Sequence, residues 1–208
     1  NQIDLSIKKT VKGFVSVSKK CTDSIKKRKY LKNIKAITIY NGLKKPKFKK
    51  KNIKKEFNLN KNSKLLLMLA EYDLRKGHEF ILKVMEELTK TNKNVYLLIC
   101  GYSEKNKKKH IKKLVQKSNS RQNIILEKYR TDKFNLIFQS DIVVIPSQRY
   151  ESFGYAAIEA MSLKKPLVTT NIGGLKEVIL HNKSGYVVNY KNYKLFAKKI
   201  NYLLKNSS

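Results

Sequence analysis

From Lys64 onward, short apolar runs alternate with longer stretches whose apolar positions recur every three or four residues. The runs predict strands over 64–70, 94–100, 123–127, 141–146, 166–170 and 185–188, and the gaps predict helices near 76–91, 103–118, 131–139, 153–163, 173–181 and 191–205. Runs such as Leu65-Leu66-Leu67-Met68-Leu69 and Ile142-Val143-Val144-Ile145 are apolar at odd and even positions alike. That is the pattern of strands covered on both faces, as in a parallel sheet. Regular strand–helix alternation implies right-handed crossovers and an α/β fold with a doubly wound parallel sheet. Ligands of such folds sit beyond the carboxyl ends of the strands, where the loops 69–77 and 146–154 fall.

Before this unit, the pattern predicts a strand over 14–18, a basic helix over 19–29 and a strand over 36–40 ended by the turn pair Asn41-Gly42. Residues 46–62 are polar, Lys-rich and open on Pro46, as expected of a linker with a short helix. The chain lacks an initial Met and its first residues read as the interior of a helix, so a fragment of a longer protein is expected.

The most informative segment is Pro146-Ser147-Gln148-Arg149-Tyr150-Glu151-Ser152-Phe153-Gly154-Tyr155-Ala156-Ala157-Ile158-Glu159-Ala160-Met161. A strand runs into Pro146-Ser147, a polar loop carries Glu151, and a helix opens near 152–154. A helix start offers free N–H groups and the positive end of the dipole, which suit a phosphate. Glu159 lies about one and a half turns further, roughly 8 Å along the axis. The spacing fits a nucleotide, with its phosphates at the helix tip and a carboxylate for its sugar hydroxyls.

This segment resembles the donor-site motif of the retaining glycosyltransferases of family 4, which have the two-domain GT-B architecture. The matching residues are Pro146-Ser147, Glu151, Phe153-Gly154 and Glu159-Ala160-Met161, followed by Lys165 to Thr170, Gly173-Gly174-Leu175-Lys176-Glu177 and Ser184-Gly185-Tyr186-Val187-Val188. The resemblance spans about residues 12–188. It implies that 1–45 is the tail of an N-terminal acceptor domain, 46–62 the linker and 63–208 the C-terminal nucleotide-sugar-binding, Rossmann-like domain. It further implies transfer of a hexose-type sugar from a nucleotide diphosphate sugar with retention at the anomeric carbon, without a metal or other cofactor, in polysaccharide or lipopolysaccharide synthesis. By the same resemblance Glu151 orients the donor sugar, Glu159 binds the ribose, and the amides of Phe153, Gly154 and Tyr155 face the β-phosphate, with Ser152 opening the same cofactor-binding helix start. Lys76-Gly77 match the diphosphate clamp after the first strand, and Tyr129-Arg130 fall where the base is held. Gly173-Gly174 offer a tight turn and a further close approach to ligand. One position departs from the family: Glu71 stands where it holds an arginine, and Arg75 beside Lys76 is the available substitute. Glu151 and Lys76 are therefore the expected catalytic pair. With most of the acceptor domain missing, these 208 residues alone are expected to transfer little or no sugar.

Composition changes this picture in three ways. The 47 Lys plus Arg outnumber 15 Asp plus Glu, for a net charge of +32. Such an excess raises nucleic acid or an anionic membrane as partner. Nucleic acid is disfavoured, because the lysines are dispersed and Arg, the better base and phosphate fork, is scarce. In the densest run, 104–117, Ile111, Leu114 and Val115 make an inner helical face and the lysines an outer one. Contact with anionic headgroups would then contribute at most about 1 kcal/mol per lysine. Second, Cys21 and Cys100 have no paired spacing, which fits a reducing cytoplasm, with a peripheral place at the inner membrane face. Third, no Asp-x-Asp occurs and His78, His110 and His181 do not cluster, so no metal site is indicated. His78 is placed either against phosphate or on the helix surface, and His181 at a helix end. Expected partners are a nucleotide-sugar donor and a saccharide or lipid-linked acceptor. Two other readings fit the residues: a non-catalytic nucleotide-binding GT-B relative disabled at Glu71, and a basic nucleic-acid or membrane-surface protein.

Overall fold

The computed structural model describes residues 2–102 and 104–206. Asn1, Ser103, Ser207 and Ser208 lie outside the described residues, and with them the outer limits of the two expected domains and the first residue of the helix expected over 103–118.

The elements before residue 46 are Gln2–Thr10 (α1), Gly13–Ser16 (β1), Lys19–Lys26 (α2) and Lys35–Thr38 (β2). β1 and β2 pair in parallel, from Gly13 opposite Lys35 to Ser16 opposite Thr38. The short helix Ile53–Glu56 (α3) follows. Six strands then form a second sheet: Lys64–Leu69 (β3), Val95–Gly101 (β4), Ile124–Lys128 (β5), Ile142–Ile145 (β6), Leu167–Thr170 (β7) and Tyr186–Val188 (β8). Their order is β5-β4-β3-β6-β7-β8, and every pairing is parallel. The helices between and after them are His78–Thr91 (α4), Lys105–Lys117 (α5), Lys133–Gln139 (α6), Tyr155–Ser162 (α7), Leu175–Val178 (α8) and Tyr193–Asn206 (α9). The fold is thus α/β and doubly wound, and the strand order reverses between β3 and β6.

Successive strand residues face opposite sides of a sheet. On β3, Leu66 and Met68 join a core with Ile81 and Met85 of α4, Ile111 of α5 and Phe196 of α9. Leu65 and Leu67 join the opposite core with Ile53 of α3, Leu136 of α6, Ala157 of α7 and Leu175 of α8. Both parities are buried, which is why the strands read as unbroken apolar runs. On α5, Ile111 and Val115 are buried and the lysines described around them, such as Lys109 and Lys112, face out.

Three sequence expectations are corrected. The helix over 173–181 is the single turn α8, because Ile179 is extended (φ −109°, ψ 118°) and Asn182 is left-handed (φ 63°). His181 consequently ends no helix. It bridges to Gly185, and its Nδ1 accepts the N–H of Val187 at 3.0 Å. The helix over 19–29 stops at Lys26, and a turn through Arg28 and Leu31 replaces its last residues.

α7 ends in a Schellman motif: the N–H of Lys164 donates to Met161 O and that of Lys165 to Ala160 O, both at 2.9 Å. Lys164 is left-handed there (φ 54°), a conformation that penalises a Cβ. Lys164→Gly is expected to stabilise the chain by roughly 0.5–1 kcal/mol. An unfolding midpoint in urea at or below that of the unaltered chain would show that the side chain compensates elsewhere.

Candidate functional site

The loops after β3 and β6 diverge where the strand order reverses, and a crevice of about 230 Å³ opens between them. Its lining includes Ala70, Glu71, Lys76, Ser147, Glu151 and Gly154. The two loops touch at its base. Gly77 is left-handed (φ 87°), and a Cβ there would lie 1.9 Å from Pro146 O, so only glycine permits the approach. The N–H of Gln148 donates to Arg75 O at 2.8 Å across the same seam. Lys76 closes a 3₁₀ turn, Leu74–Lys76, and this turn aims its ammonium across the crevice. Lys76 Nζ donates to Glu151 Oε2 at 3.0 Å, and Ser147 Oγ donates to the same oxygen at 3.1 Å. The side chains of Lys76 and Glu151 are 28% and 14% exposed, so the pair is shielded yet reachable from solvent.

α7 begins at Tyr155, two residues later than the expected start at 153, with left-handed Gly154 (φ 97°) as its cap. Among the described residues the N–H groups of Phe153, Gly154 and Tyr155 find no acceptor in the protein. These are the free donors of a helix start. The loop is held from behind by Gly173-Gly174. A Cβ on Gly173 would fall 1.8 Å from Glu151 O, and the Gly174 N–H donates to that oxygen at 2.9 Å. The glycine pair therefore makes its close approach to the chain's own Glu151 backbone, and fixes where that carboxylate stands.

Glu159 sits on the inner face of α7, 5% exposed. Lys133 Nζ donates to its Oε1 at 2.5 Å. Both line a second cavity, about 820 Å³, with Leu43, Lys44, Pro46 and Tyr155. Tyr155 borders both cavities, so Glu151 and Glu159 occupy neighbouring compartments joined at the first residue of α7. Lys133 was missed by sequence reasoning. A lysine as the first residue of a helix opposes the dipole, and that local misfit was the available signal.

Other expected site residues lie apart. Arg75, the available substitute for the arginine missing at Glu71, is turned to Asp73: its Nε and one terminal nitrogen donate to the two carboxylate oxygens, each at 2.9 Å. The guanidinium holds the Asp73 carboxyl down at about 2, and Arg75 lines a separate cavity with Phe80, Arg149 and Tyr190. Arg130 is bound to Asp132 and Glu56, which ties the loop after β5 to α3, while Tyr129 is exposed. Neither lines the crevice or the cavity beside Glu159. His78 is neither on the helix surface nor in the crevice. It is fully buried and stacked on Tyr72 with ring centroids 5.6 Å apart, and burial pushes its imidazole down to about 4.

Glu177 belongs to the matched stretch after Gly173-Gly174, where the sequence assigns it no role. Its two carboxylate oxygens accept the N–H groups of Lys19 and Lys20, each at 2.8 Å, and one of them also accepts the Tyr40 hydroxyl at 3.0 Å. Burial alone would raise its carboxyl. These donors outweigh burial and hold it below the usual carboxylate range.

The arrangement offers a cation and free amides to an anion, two carboxylates to hydroxyls or to developing positive charge, and a cavity roomy enough for a nucleoside. Among the described residues no group of three or more His, Cys, Asp or Glu could hold a metal ion. Among the same residues no helix is long and apolar enough to cross a membrane.

Comparison with known proteins gives the following. The family model described as Glycosyl transferases group 1 matches residues 49–208. This finding overturns membership of family 4, the assignment suggested by the motif around Glu151 and Glu159. An uncharacterized glycosyltransferase of Methanocaldococcus jannaschii is 29% identical over 163 residues, 74% of this chain and 41% of that protein. Spore coat protein SA of Bacillus subtilis is 28% identical over 69% of this chain and 40% of its own length. Anabaena HepE, solved with UDP and glucose, superposes with a TM-score of 0.85 at 17% identity, covering 97% of this chain and 55% of that one. A glycosyltransferase of Rickettsia africae gives 0.83 at 23% identity, covering 99% of this chain and 57% of that one. The solved structures share the GT-B-like fold, and the chain spans about two fifths of the length of these two curated relatives.

Proposed function

The chain belongs to the Glycosyl transferases group 1 family, and from that premise we propose that it forms the donor-binding part of an enzyme that moves a hexose-type sugar from a nucleoside diphosphate sugar to a saccharide or lipid-linked acceptor. Residues 46–62 are then the linker, 63–208 the donor domain and 1–45 the end of the acceptor domain. The observation that carries this reading is the grouping of Lys76, Glu151 and the unpaired amides at the start of α7 around one crevice. Lys76 and the amides of Phe153, Gly154 and Tyr155 would receive the charge of the departing diphosphate, the largest electrostatic demand of such a transfer. Glu151, placed by Ser147 and by the glycine pair behind it, would face the sugar. Glu159, one compartment away, would accept from the ribose hydroxyls. The nucleoside would occupy the cavity between 43–47 and α7. No metal is needed where Lys76 and a helix start already meet the diphosphate. Retention is favoured because Glu151 is engaged by Lys76 and Ser147, and so is poorly placed as the free base that inversion requires. Anabaena HepE and Staphylococcus aureus TarM were solved with UDP, which makes uridine the first base to test. The acceptor side and a peripheral contact of the lysine-rich surface with anionic membrane belong to the same proposal.

The test is a thermal-shift panel of UDP, GDP and ADP and their glucose conjugates on the full chain. At a hundredfold excess over Kd, one base should raise the melting temperature by about 5–10 °C. That shift should vanish in Glu159→Ala. No shift with any base, or one that survives Glu159→Ala, would sink the reading.

A second reading, a nucleotide-binding relative without transfer, is favoured by Glu71, which brings negative charge to the crevice lining. Under it, Glu71→Arg creates transfer activity where the unaltered enzyme has none.

A further inference from the structure

α8 is a single turn, yet it touches two things at once. At its start, Gly173-Gly174 clamp the backbone of Glu151. Two residues into it, Glu177 grips the first two amides of α2. The next amide, that of Cys21, is capped by Ser18 Oγ at 3.2 Å, and Thr22 N–H donates to Ser18 O at 3.1 Å. The whole first turn of α2 is therefore satisfied, and half of that cap comes from a residue 157 positions or more away in sequence. The same helix start leans on the loop that carries Glu151: Cys21 Sγ lies 3.6 Å from Ser152 O, and a Cβ on Gly174 would lie 3.1 Å from that of Ser18. Tyr40, whose hydroxyl donates to Glu177, also places its ring 6.4 Å from that of Phe153. Glu177, α2, Tyr40 and the 151–154 loop thus form one contiguous network.

We infer that Glu177 is a positioning residue: by seating the amino end of α2 against the 151–154 loop, it sets the geometry of the crevice, so that nucleotide binding in the crevice and docking of α2 reinforce each other. The inference rests on the reading that the crevice takes a nucleoside diphosphate. Its physical basis is short-range. A carboxylate at a helix start is held by the dipole and by charge-assisted hydrogen bonds. The element bearing it cannot shift without moving Gly173, which has no clearance from Glu151 O. Coupling of two sites through a shared element is reciprocal, so each ligand or contact must favour the other equally.

The two cysteines supply the readout. Cys21 is partly exposed at the seam, whereas Cys100 is buried and its thiol is pushed up to about 11 by that burial. Thiol-labelling rates of both are followed in the full chain with and without UDP, beside UDP affinity by calorimetry, for the unaltered protein, Glu177→Ala and Glu177→Gln. In the unaltered chain UDP should slow labelling of Cys21. Glu177→Ala should speed that labelling about tenfold, abolish its response to UDP and weaken UDP binding by about fivefold or more. Glu177→Gln, which keeps one acceptor oxygen, should fall between, and unchanged slow labelling of Cys100 reports that the sheet is intact. A purely structural cap would alter Cys21 labelling while leaving UDP affinity equal in all three proteins, and that outcome overturns the inference while the proposed function stands. If UDP does not bind, whichever of GDP and ADP does takes its place, and failure of all three to bind the unaltered chain overturns both.

Discussion

Replacing Lys76 with Met is expected to weaken UDP binding by roughly 10–100-fold, the worth of one charge-assisted hydrogen bond at about 1.5–3 kcal/mol. Lys76 is the one cation that the crevice lining offers among the described residues, since Arg75 is engaged by Asp73 and faces another cavity. Stability should change little, because an ion pair of which one partner is 28% exposed contributes modestly. The companion change separates roles. Glu151→Gln removes a negative charge beside the proposed phosphate position and releases Lys76, so UDP should bind a few-fold more tightly, by about 0.5–1 kcal/mol. UDP-sugar should gain less or lose affinity, because the group proposed to face the sugar has lost its charge. Calorimetry with both ligands checks this. If Glu151→Gln weakened UDP as much as Lys76→Met does, Glu151 would be holding the diphosphate site together and would not be a sugar contact.

The second large effect is on stability. Between pH 6.5 and pH 4 the chain is expected to lose on the order of 3 kcal/mol through His78 alone, at about 1.4 kcal/mol per pH unit. Its Nδ1–H donates to Asp73 O at 2.9 Å, and Nε2 is buried with no partner among the described residues. A second proton would therefore sit on a buried nitrogen with nothing to accept it. Burial pushes the imidazole from 6.5 down to about 4 in the folded chain. In that window the unfolded chain binds the proton and the folded chain does not, so stability rises with pH. The contribution is complete above pH 6.5 and is lost as pH falls through about 4. Urea unfolding at pH 7, 5.5 and 4.5 measures it. His78→Phe keeps the stack on Tyr72 and removes the titration, so its stability should be flatter over this range. Equal slopes for the two proteins would show that His78 is not the group responsible.

His78 also shows where reading the chain stops. Its neighbours Lys76 and Gly77 mark a loop at the carboxyl end of β3, and a polar residue there looks available to ligand. Whether it faces the crevice or the core depends on Tyr72, which folds back beneath it, and nothing in the local pattern requires that. Arg75 is the opposite case. Asp73 lies two residues away, and a pair so close in sequence is legible from the chain itself. The glycines at 173 and 174 read, from the sequence, as a turn near ligand. Their actual partner, the backbone of Glu151, lies on a different segment.

The order of strands and helices, the parallel sheet and the two loops that frame the crevice were determined by the sequence, because apolar periodicity and turn residues act between neighbours in the chain. The lysine and carboxylate of the crevice were legible too, since the motifs that carry them are continuous. Only the tertiary structure decided that Lys133 would meet Glu159, that Glu177 would cap a helix more than 150 residues earlier, and that the two glutamates would lie in adjoining cavities. Each of these is an encounter between segments brought together by burial of both faces of the sheet. Such encounters are fixed by how helices pack on that sheet, a property of the assembled layers that no single stretch of the chain contains.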